Sequence, residues 1–253
     1  MILLIRHAEA EGGEGRYIGS TDLPLSSLGQ AQALALAEAL ARSPAPASDF
    51  VPDHAPDLSP LAGNNPALAV SDPDWTPGST KEAPLLAAIY VSPLQRALRT
   101  AAPLAERSGL VPVVLDDLRE IHLGQWEGLL VAELRRTRPE EYAARGRDFA
   151  GFRPPGGENF LDVARRADMA LQRMASGPQP CAAITHAGVI RVLLCRALGL
   201  SLDQLFQFRP GHTNCTLMQL PTLRSNSSDQ FLPVLIAKDI PASAAALLLR
   251  RPA

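Results

Sequence analysis

The stretch Ile2-Leu3-Leu4-Ile5-Arg6-His7-Ala8-Glu9 decides how this sequence folds. Four consecutive large apolar residues are typical of a strand that is buried on both faces of a sheet. The charged pair Arg6-His7 comes where that strand ends. Residues 28–41 follow with an Ala/Leu pattern that predicts a helix. The chain therefore begins with a strand and then a helix.

Strand and helix patterns alternate along the rest of the chain. The further predicted strands are 89–91, 111–115 and 181–185, and the further predicted helices are 94–107, 158–174 and 189–198. Ser92 is predicted to cap the second helix, with Pro93 at its first position. The last predicted elements are antiparallel strands at 215–220 and 232–237 and a helix at 242–251. This order predicts an α/β fold of three layers, α/β/α, with a mainly parallel central sheet and helices on both faces. Ligands of such a sheet bind beyond the carboxyl ends of the strands.

Residues 43–84 interrupt this alternation. They hold nine of the 23 prolines, with Asp, Ser, Asn and Gly between them. Neither a regular helix nor a central strand can run through such a segment. We interpret residues 1–253 as a single domain that carries residues 43–84 as a Pro-rich insertion. The insertion either covers the site as a lid or extends as a surface arm, and we favour the arm.

Composition limits what the protein can bind. The charged fraction is 20% and the formal net charge is -2, so no global basic field attracts nucleic acid or an anionic membrane. No apolar run reaches the length of about 18 residues that a membrane span needs, and the N-terminal run does not resemble a signal peptide. The three cysteines are far apart, which predicts buried thiols, no zinc and no disulfide. We therefore expect a cytoplasmic protein with a small-molecule substrate and no nucleic-acid or membrane partner. The sequence is also compatible with a homodimer.

Charged residues that suit phosphate chemistry follow the predicted strands. Arg6, His7 and His186 stand directly at strand ends, and Arg96 and Glu120 stand a few residues beyond theirs. This placement predicts that they meet at one edge of the sheet. Guanidinium groups can hold phosphoryl oxygens in pairs while a neutral imidazole attacks phosphorus. The five residues therefore predict a site for phosphoryl transfer.

Five motifs stand in order along the chain. They are Leu4-Ile5-Arg6-His7-Ala8-Glu9, Asp22-Leu23-Pro24-Leu25 with Gly29, Ser92-Pro93-Leu94-Gln95-Arg96-Ala97 with Thr100, Leu118-Arg119-Glu120 followed by Gly124-Gln125-Trp126-Glu127-Gly128, and Thr185-His186-Ala187-Gly188. Together they resemble the motifs of the histidine phosphatase superfamily, which includes the cofactor-dependent phosphoglycerate mutases. The resemblance covers residues 1–42 and 85–237, and it implies the phosphoglycerate mutase-like fold.

The resemblance implies a role for each of the five residues. His7 is the nucleophile that becomes a phosphohistidine, and Arg6 and Arg96 bind the phosphate. His186 stabilises the transferring group, and Glu120 protonates the leaving oxygen. Because positioned cations can stabilise an in-line displacement without a metal, we expect no metal and no other cofactor.

Other residues compete for the remaining roles. Arg16, in Gly15-Arg16-Tyr17, resembles a substrate-side arginine of the family. Asp116, Asp117 and Glu127 are alternatives to Glu120 as the acid, because each lies close to it in sequence. Four further residues are interpreted as having no part in the chemistry. We interpret His54, His122 and His212 as structural or solvated, and Trp126 as a packing residue.

The sequence departs from the family pattern at four positions. Ala8 and Ala187 stand where members usually have glycine, and each is expected to add a methyl beside the phosphate pocket. Gly13 stands where many members have an asparagine that reaches the phosphate, and Ile18 replaces a polar residue. These changes affect the substrate side more than the reaction type.

Residues 120–128 and 188–208 resemble the phosphatase branch of the family more than its mutases. That branch includes α-ribazole phosphatase and broad-specificity small-molecule phosphatases. The resemblance therefore favours hydrolysis of small phosphate monoesters. A phosphoglycerate mutase-type transfer is the first alternative, and a catalytically silent binding protein on the same fold is the second.

Overall fold

A computed structural model describes residues 1–41, 85–220 and 232–250. The strands of these residues form one sheet. They are β1 (Ile2–Arg6), β2 (Ala88–Val91), β3 (Val113–Val114), β4 (Cys181–Thr185), β5 (Cys215–Gln219) and β6 (Val234–Ile240), in the spatial order β3-β2-β4-β1-β5-β6. The first four run parallel, β5 is antiparallel to β1, and β6 is antiparallel to β5. The prediction of a mainly parallel sheet that ends in an antiparallel pair is confirmed.

Helices cover both faces of the sheet. Among the described residues they are α1 (Ser27–Leu40), α2 (Gln95–Ser108), α3 (Val131–Thr137), α4 (Pro139–Arg147), α5 (Phe160–Ala175), α6 (Ala187–Ala197) and α7 (Ala242–Leu249). Side chains of β1 alternate between two cores. Ile2 and Leu4 pack in the core that includes α5 and α6, whereas Leu3 and Ile5 pack in the core that includes α1, α2 and α7. A central strand buried on both faces requires this unbroken apolar run, and the three-layer prediction is confirmed.

The register of the parallel strands brings their carboxyl ends level. Arg6 of β1 pairs with Thr185 of β4, and Val91 of β2 pairs with Ile184. By this register, the chain leaves β1, β2 and β4 within about one residue of the same edge of the sheet. Neighbouring strands lie only about 5 Å apart. Residues that follow these three strands are therefore neighbours.

Three details of the sequence prediction are wrong. Helix α2 has Leu94 as its N-cap residue rather than Ser92, whose hydroxyl accepts from the N–H of Leu94 and also contacts His186. The strand predicted at 111–115 is reduced to two residues, because only Val113 and Val114 pair with β2. Helices α3 and α4 were not predicted, and α4 buries none of its residues, so it has no apolar stripe to detect.

The predicted insertion, residues 43–84, lies outside the described residues, and so does His54. The single-domain interpretation stays a prediction. None of the helices in the described ranges is long and apolar enough to cross a membrane. All three cysteines are buried free thiols, as predicted.

Candidate active site

The nucleophile candidate, His7, is the first residue after β1. Its ring is 7% exposed, and its Nδ1 lies 2.7 Å from the carbonyl oxygen of Ala8. That carbonyl can only accept, so Nδ1 carries the proton of the neutral ring and Nε2 keeps its lone pair. Nε2 accepts a hydrogen bond from Nε of Arg96 at 3.3 Å. Burial, followed by the nearby charge of Arg96, holds the pKa of His7 well below its ordinary value, so the ring is neutral at pH 7.

Arg96 lies in the first turn of α2 and is almost fully buried. Besides the bond to His7, its Nη1 donates to the carbonyl of Thr21 at 2.7 Å and its Nη2 to the carbonyl of Gly19 at 2.6 Å. Three acceptors in different directions fix the plane of the guanidinium. Thr100, one turn further along α2, accepts from the backbone N–H of Ala8 at 2.9 Å and so ties the nucleophile loop to this helix.

Arg6, the last residue of β1, lies on the other side of the site. Its Nη1 donates to the carbonyl of Pro210 at 2.8 Å. Its Nε is buried and has no hydrogen-bond partner within the described part of the chain. Burial lowers the pKa of Arg6, but a guanidinium stays charged in a protein.

His186 follows β4 and is the N-cap residue of α6. It is fully buried, and its ring centre lies 5.0 Å from that of His7. Nε2 lies 2.7 Å from the hydroxyl of Ser92, which already accepts from the N–H of Leu94. We assign the Ser92 hydroxyl as the donor to Nε2, which places the ring proton on Nδ1. Burial, followed by the proximity of His7, holds the pKa of His186 well below its ordinary value.

Two buried N–H groups thus flank His7 without a hydrogen-bond partner among the described residues, at Arg6 Nε and His186 Nδ1. Buried donors in proteins are nearly always paired. Two such donors next to a neutral imidazole are suited to the oxygens of a phosphoryl group.

The carboxylate of Glu120 lies on the same cavity as His7. Its Oε2 accepts from the N–H of Gly188 at 3.0 Å, and its Oε1 accepts from the N–H of Ile121 at 3.0 Å. A Cβ at position 188 would lie 2.1 Å from Oε1, so only glycine lets the carboxylate reach the start of α6. This contact explains the glycine of the Thr185-His186-Ala187-Gly188 motif.

Arg6, His7, Arg96 and Glu120 share one open cavity of about 650 Å³, and the buried His186 lies behind His7 and outside the described lining. Its described lining consists of Arg6, His7, Glu9, Ala10, Glu11, Gly12, Gly13, Glu14, Ile18, Leu23, Ser26, Arg96, Glu120, Ala187 and His212. The two arginines supply positive charge at the bottom, next to the nucleophile. Glu9, Glu11 and Glu14 supply negative charge from the loop that follows β1.

The structure separates Glu120 from its competitors. Neither Asp116 nor Asp117 is part of the described cavity lining, and neither is Glu127. The Glu127 carboxylate instead accepts six hydrogen bonds from the loop 19–21 and from Leu123. Glu120 is therefore the carboxylate that the fold brings to the nucleophile.

Arg16 does not line the described cavity. Its side chain is exposed, and its Nη1 donates to the carbonyl of Gly128 at 2.7 Å. The structure thus brings five of the six predicted site residues together and leaves Arg16 outside them. A substrate-side role for Arg16 stays a prediction.

His212 is a cavity residue that the sequence interpretation missed. Its ring centre lies 5.6 Å from that of His7, and burial, followed by the charge of Arg6, lowers its pKa to about 4. It stands just before β5, which is antiparallel to β1, so the start of β5 lies at the same edge as the end of β1. The predicted antiparallel strand at 215–220 was the signal that could have placed it there.

His122 and Trp126, which the sequence analysis placed outside the site, do not line the described cavity. His122 contacts the Ser20 hydroxyl at 2.6 Å and is partly exposed. Trp126 is fully buried, and its Nε1 donates to Glu141 at 2.9 Å. These positions agree with the interpretation of His122 as structural or solvated and of Trp126 as packing.

The departures from the family pattern have unequal effects. The expectation that Ala8 adds a methyl beside the phosphate pocket is wrong, because Ala8 packs with Leu25 and Ala33 and does not line the described cavity. Ala187 does line it, as expected, and so do Gly13 and Ile18. No group of three or more His, Cys, Asp or Glu side chains within the described residues could hold a metal ion.

Comparisons with known proteins agree with this arrangement. A family model described as "Histidine phosphatase superfamily (branch 1)" matches residues 2–51 and 80–226. A glucosyl-3-phosphoglycerate phosphatase of Mycolicibacterium vanbaalenii is 33% identical over 213 residues, which is 80% of this chain and 76% of the relative. The structure of a mycobacterial glucosyl-3-phosphoglycerate phosphatase with VO3 is 28% identical, with a TM-score of 0.65 over 94% of this chain and 98% of that one. The α-ribazole phosphatase of Shigella flexneri, at 20% identity and a TM-score of 0.66 over 94% of this chain and 95% of that one, shares the fold.

Proposed function

The chain belongs to branch 1 of the histidine phosphatase superfamily and is a phosphatase of small-molecule phosphate monoesters, and we propose that it works through a phosphohistidine on His7. One observation carries the proposal. The bond from Nδ1 to the Ala8 carbonyl leaves Nε2 as the nucleophilic atom, directly beside a buried guanidinium. We assign the accompanying roles to Arg6, Arg96, Glu120 and His186.

In the first step the phosphoryl group binds between the two arginines. Nε2 of His7 attacks phosphorus, and the bond from phosphorus to the ester oxygen breaks. Arg6 and Arg96 stabilise the negative charge on the equatorial oxygens, and Nδ1 of His186 donates a hydrogen bond to one of them. Because both histidines are neutral at pH 7, no proton has to leave His7 before it attacks.

Glu120, in its protonated form at the start of this step, supplies the proton that the departing alkoxide needs. Protonation of the ester oxygen as its bond to phosphorus breaks avoids a high-energy alkoxide. In the second step the Glu120 carboxylate takes a proton from a water molecule, whose oxygen attacks the phosphorus of phosphohistidine as the bond from phosphorus to Nε2 of His7 breaks. Inorganic phosphate leaves, and His7 and Glu120 return to their starting states.

The charge of the cavity lining supports a substrate class. Glu9, Glu11 and Glu14 line the cavity, and the guanidinium groups of the described lining are those of Arg6 and Arg96, to which we assign phosphate binding. A carboxylate or second phosphate in the alcohol portion would be repelled there. We propose that the alcohol portion is neutral or cationic, in contrast to the phosphoglycerate esters for which the M. vanbaalenii relative is named.

The same charges count against the two alternatives. A mutase must retain a bisphosphorylated intermediate, and the three glutamates oppose its second phosphate. A silent binding protein has no need for a carboxyl group, two guanidinium groups and two neutral imidazoles gathered around one nucleophile. Hydrolysis therefore has the better support.

Three further expectations stay proposals. We propose that the protein acts in the cytoplasm, where its three buried thiols stay reduced. We also propose that residues 1–253 form one domain that carries residues 43–84 as an insertion. The third proposal is that the protein is compatible with assembly as a homodimer.

The test is phosphate release by purified wild type and His7→Ala. p-Nitrophenyl phosphate and small alkyl phosphates are supplied with a chelator present, and phosphate is measured. Wild type should turn over, while His7→Ala should lose about 10⁴-fold or more, as expected when a nucleophile is removed. Wild type that releases no phosphate from any ester, or His7→Ala that matches wild type, would contradict the proposal.

A further inference from the structure

Glu127 accepts more hydrogen bonds than the predicted acid Glu120, yet it does not line the described cavity. Its two oxygens accept from the backbone N–H groups of Gly19, Ser20, Thr21 and Leu123 and from the hydroxyls of Ser20 and Thr21, at 2.5 to 3.2 Å. Burial would raise the pKa of Glu127, but these hydrogen bonds outweigh it and hold the pKa below its ordinary value. The group is an ionised carboxylate that holds one loop.

That loop, residues 19–21, also holds Arg96. Its N–H groups point to Glu127, whereas the carbonyls of Gly19 and Thr21 accept from the two terminal nitrogens of Arg96. The carboxylate and the guanidinium thus bind opposite edges of the same three residues. A Cβ at position 19 would lie 2.6 Å from Glu127 Oε1 and 2.1 Å from the carbonyl of Ile121, so the close approach requires glycine.

We propose that Glu127 is a positioning residue that aims the Arg96 guanidinium at the phosphoryl group through the loop 19–21. The inference rests on the proposed function, in which Arg96 binds phosphate. Without the carboxylate, four backbone N–H groups and two hydroxyls lose their acceptor, and the loop relaxes toward other partners. The carbonyls that fix the plane of the guanidinium then move with it, and phosphate binding weakens.

The sign of the effect separates positioning from simple electrostatics. Glu127 is near enough to Arg96 to stabilise its charged form. A carboxylate at that distance opposes an anion in the site, so loss of its charge alone would strengthen anion binding. Loss of its positioning role would weaken anion binding. Replacement by the neutral isostere Gln therefore gives opposite results under the two explanations.

The experiment measures the inhibition constant of orthovanadate in a double-mutant cycle of wild type, Glu127→Gln, Arg96→Ala and the double variant. Glu127→Gln should weaken inhibition about tenfold in the wild-type background and less than about twofold in the Arg96→Ala background, since coupled residues are not additive. Glu141→Gln is the matched control. Glu141 accepts from buried Trp126 but has no bond to the loop, and this variant should stay within about twofold of wild type.

Two results would overturn the inference: unchanged or tighter inhibition in Glu127→Gln, or an equal loss in both Arg96 backgrounds. If Glu127→Gln does not fold, Thr21→Val enters the same cycle, because it removes one hydroxyl donor to Glu127 and leaves the carboxylate. Thr21→Val should weaken inhibition about threefold, and only when Arg96 is present. If wild type neither hydrolyses p-nitrophenyl phosphate nor binds vanadate, the proposed function fails first and the inference fails with it.

Discussion

The base of the cavity, formed by Arg6, His7, Arg96 and Glu120, differs in construction from its mouth, formed by residues 11–14. At the base, each side chain is held by backbone groups: carbonyls hold the arginines and His7, and N–H groups hold Glu120. Most residues of the mouth are exposed, and its acidic groups, Glu11 and Glu14, reach the cavity from a loop. We infer from this contrast that the rigid base fixes the reaction type. Substrate preference depends instead on loop residues that can be substituted without disturbing the base.

The largest effect should follow from replacement of the acid at the base. Glu120→Gln should lower turnover of an alkyl phosphate about 10³-fold, because a positioned general acid contributes about 10² to 10⁴. It should lower turnover of p-nitrophenyl phosphate much less, since that leaving group needs little protonation. Steady-state rates on the two esters measure the difference. Equal losses on both esters would contradict the role of Glu120 as the acid. Asp116→Asn is the control, because Asp116 lies close to Glu120 in sequence but does not line the described cavity, and it should have the turnover of wild type.

A smaller but still large effect should follow when the base is displaced by one methyl group. Gly188→Ala places a Cβ where Glu120 Oε1 lies, so the carboxylate must move. A displacement of about 1 Å typically costs about 10²-fold in rate. Gly146→Ala, at an α4 glycine with open space around it, is the control and should leave the rate unchanged. If both variants kept wild-type turnover on alkyl phosphates, the base would be less rigid than we infer.

The pH dependence tests the burial of the base. An ordinary histidine with a pKa of 6.5 would leave turnover at pH 6 at about a quarter of its plateau. Because burial lowers the pKa of His7 well below that value, the measured rate at pH 6 should stay close to the plateau. In the unfolded chain the histidine binds a proton below pH 6.5, while in the folded chain it does not. Stability should therefore fall as the pH is lowered below 6.5, as followed by thermal unfolding. An acid limb centred at pH 6.5 would contradict the prediction.

The smallest effect should come from the mouth. Glu11→Gln with Glu14→Gln should leave turnover of a neutral alkyl phosphate unchanged. It should raise turnover of 3-phosphoglycerate relative to choline phosphate by about two- to fivefold, because exposed charges are strongly screened. Ratios of kcat/KM at low and high salt measure this, and Glu106→Gln on the exposed surface of α2 is the control. No change in the ratio would remove the glutamates from substrate selection.

The sequence predicts the base better than its surroundings, for physical reasons. Arg6, His7 and His186 could be placed because parallel strands end at one edge, and Arg96 and Glu120 followed from the family motifs. His212 was missed because its position depends on an antiparallel pairing that was not carried through to the edge. The direction of the Ala8 methyl and the bonds of Glu127 depend on loop geometry, which no periodicity encodes.

The position of β1 between β4 and β5 has a consequence for how the enzyme forms. Ile2 pairs with Cys181 on one side and with Met218 on the other, so the strand that carries Arg6 is completed only by segments from the far end of the chain. Pairings of such long sequence separation form slowly during folding. Turnover should therefore return late in refolding, after the local helices have formed. During synthesis, a nascent chain that does not yet include β4 has the nucleophile but no active site.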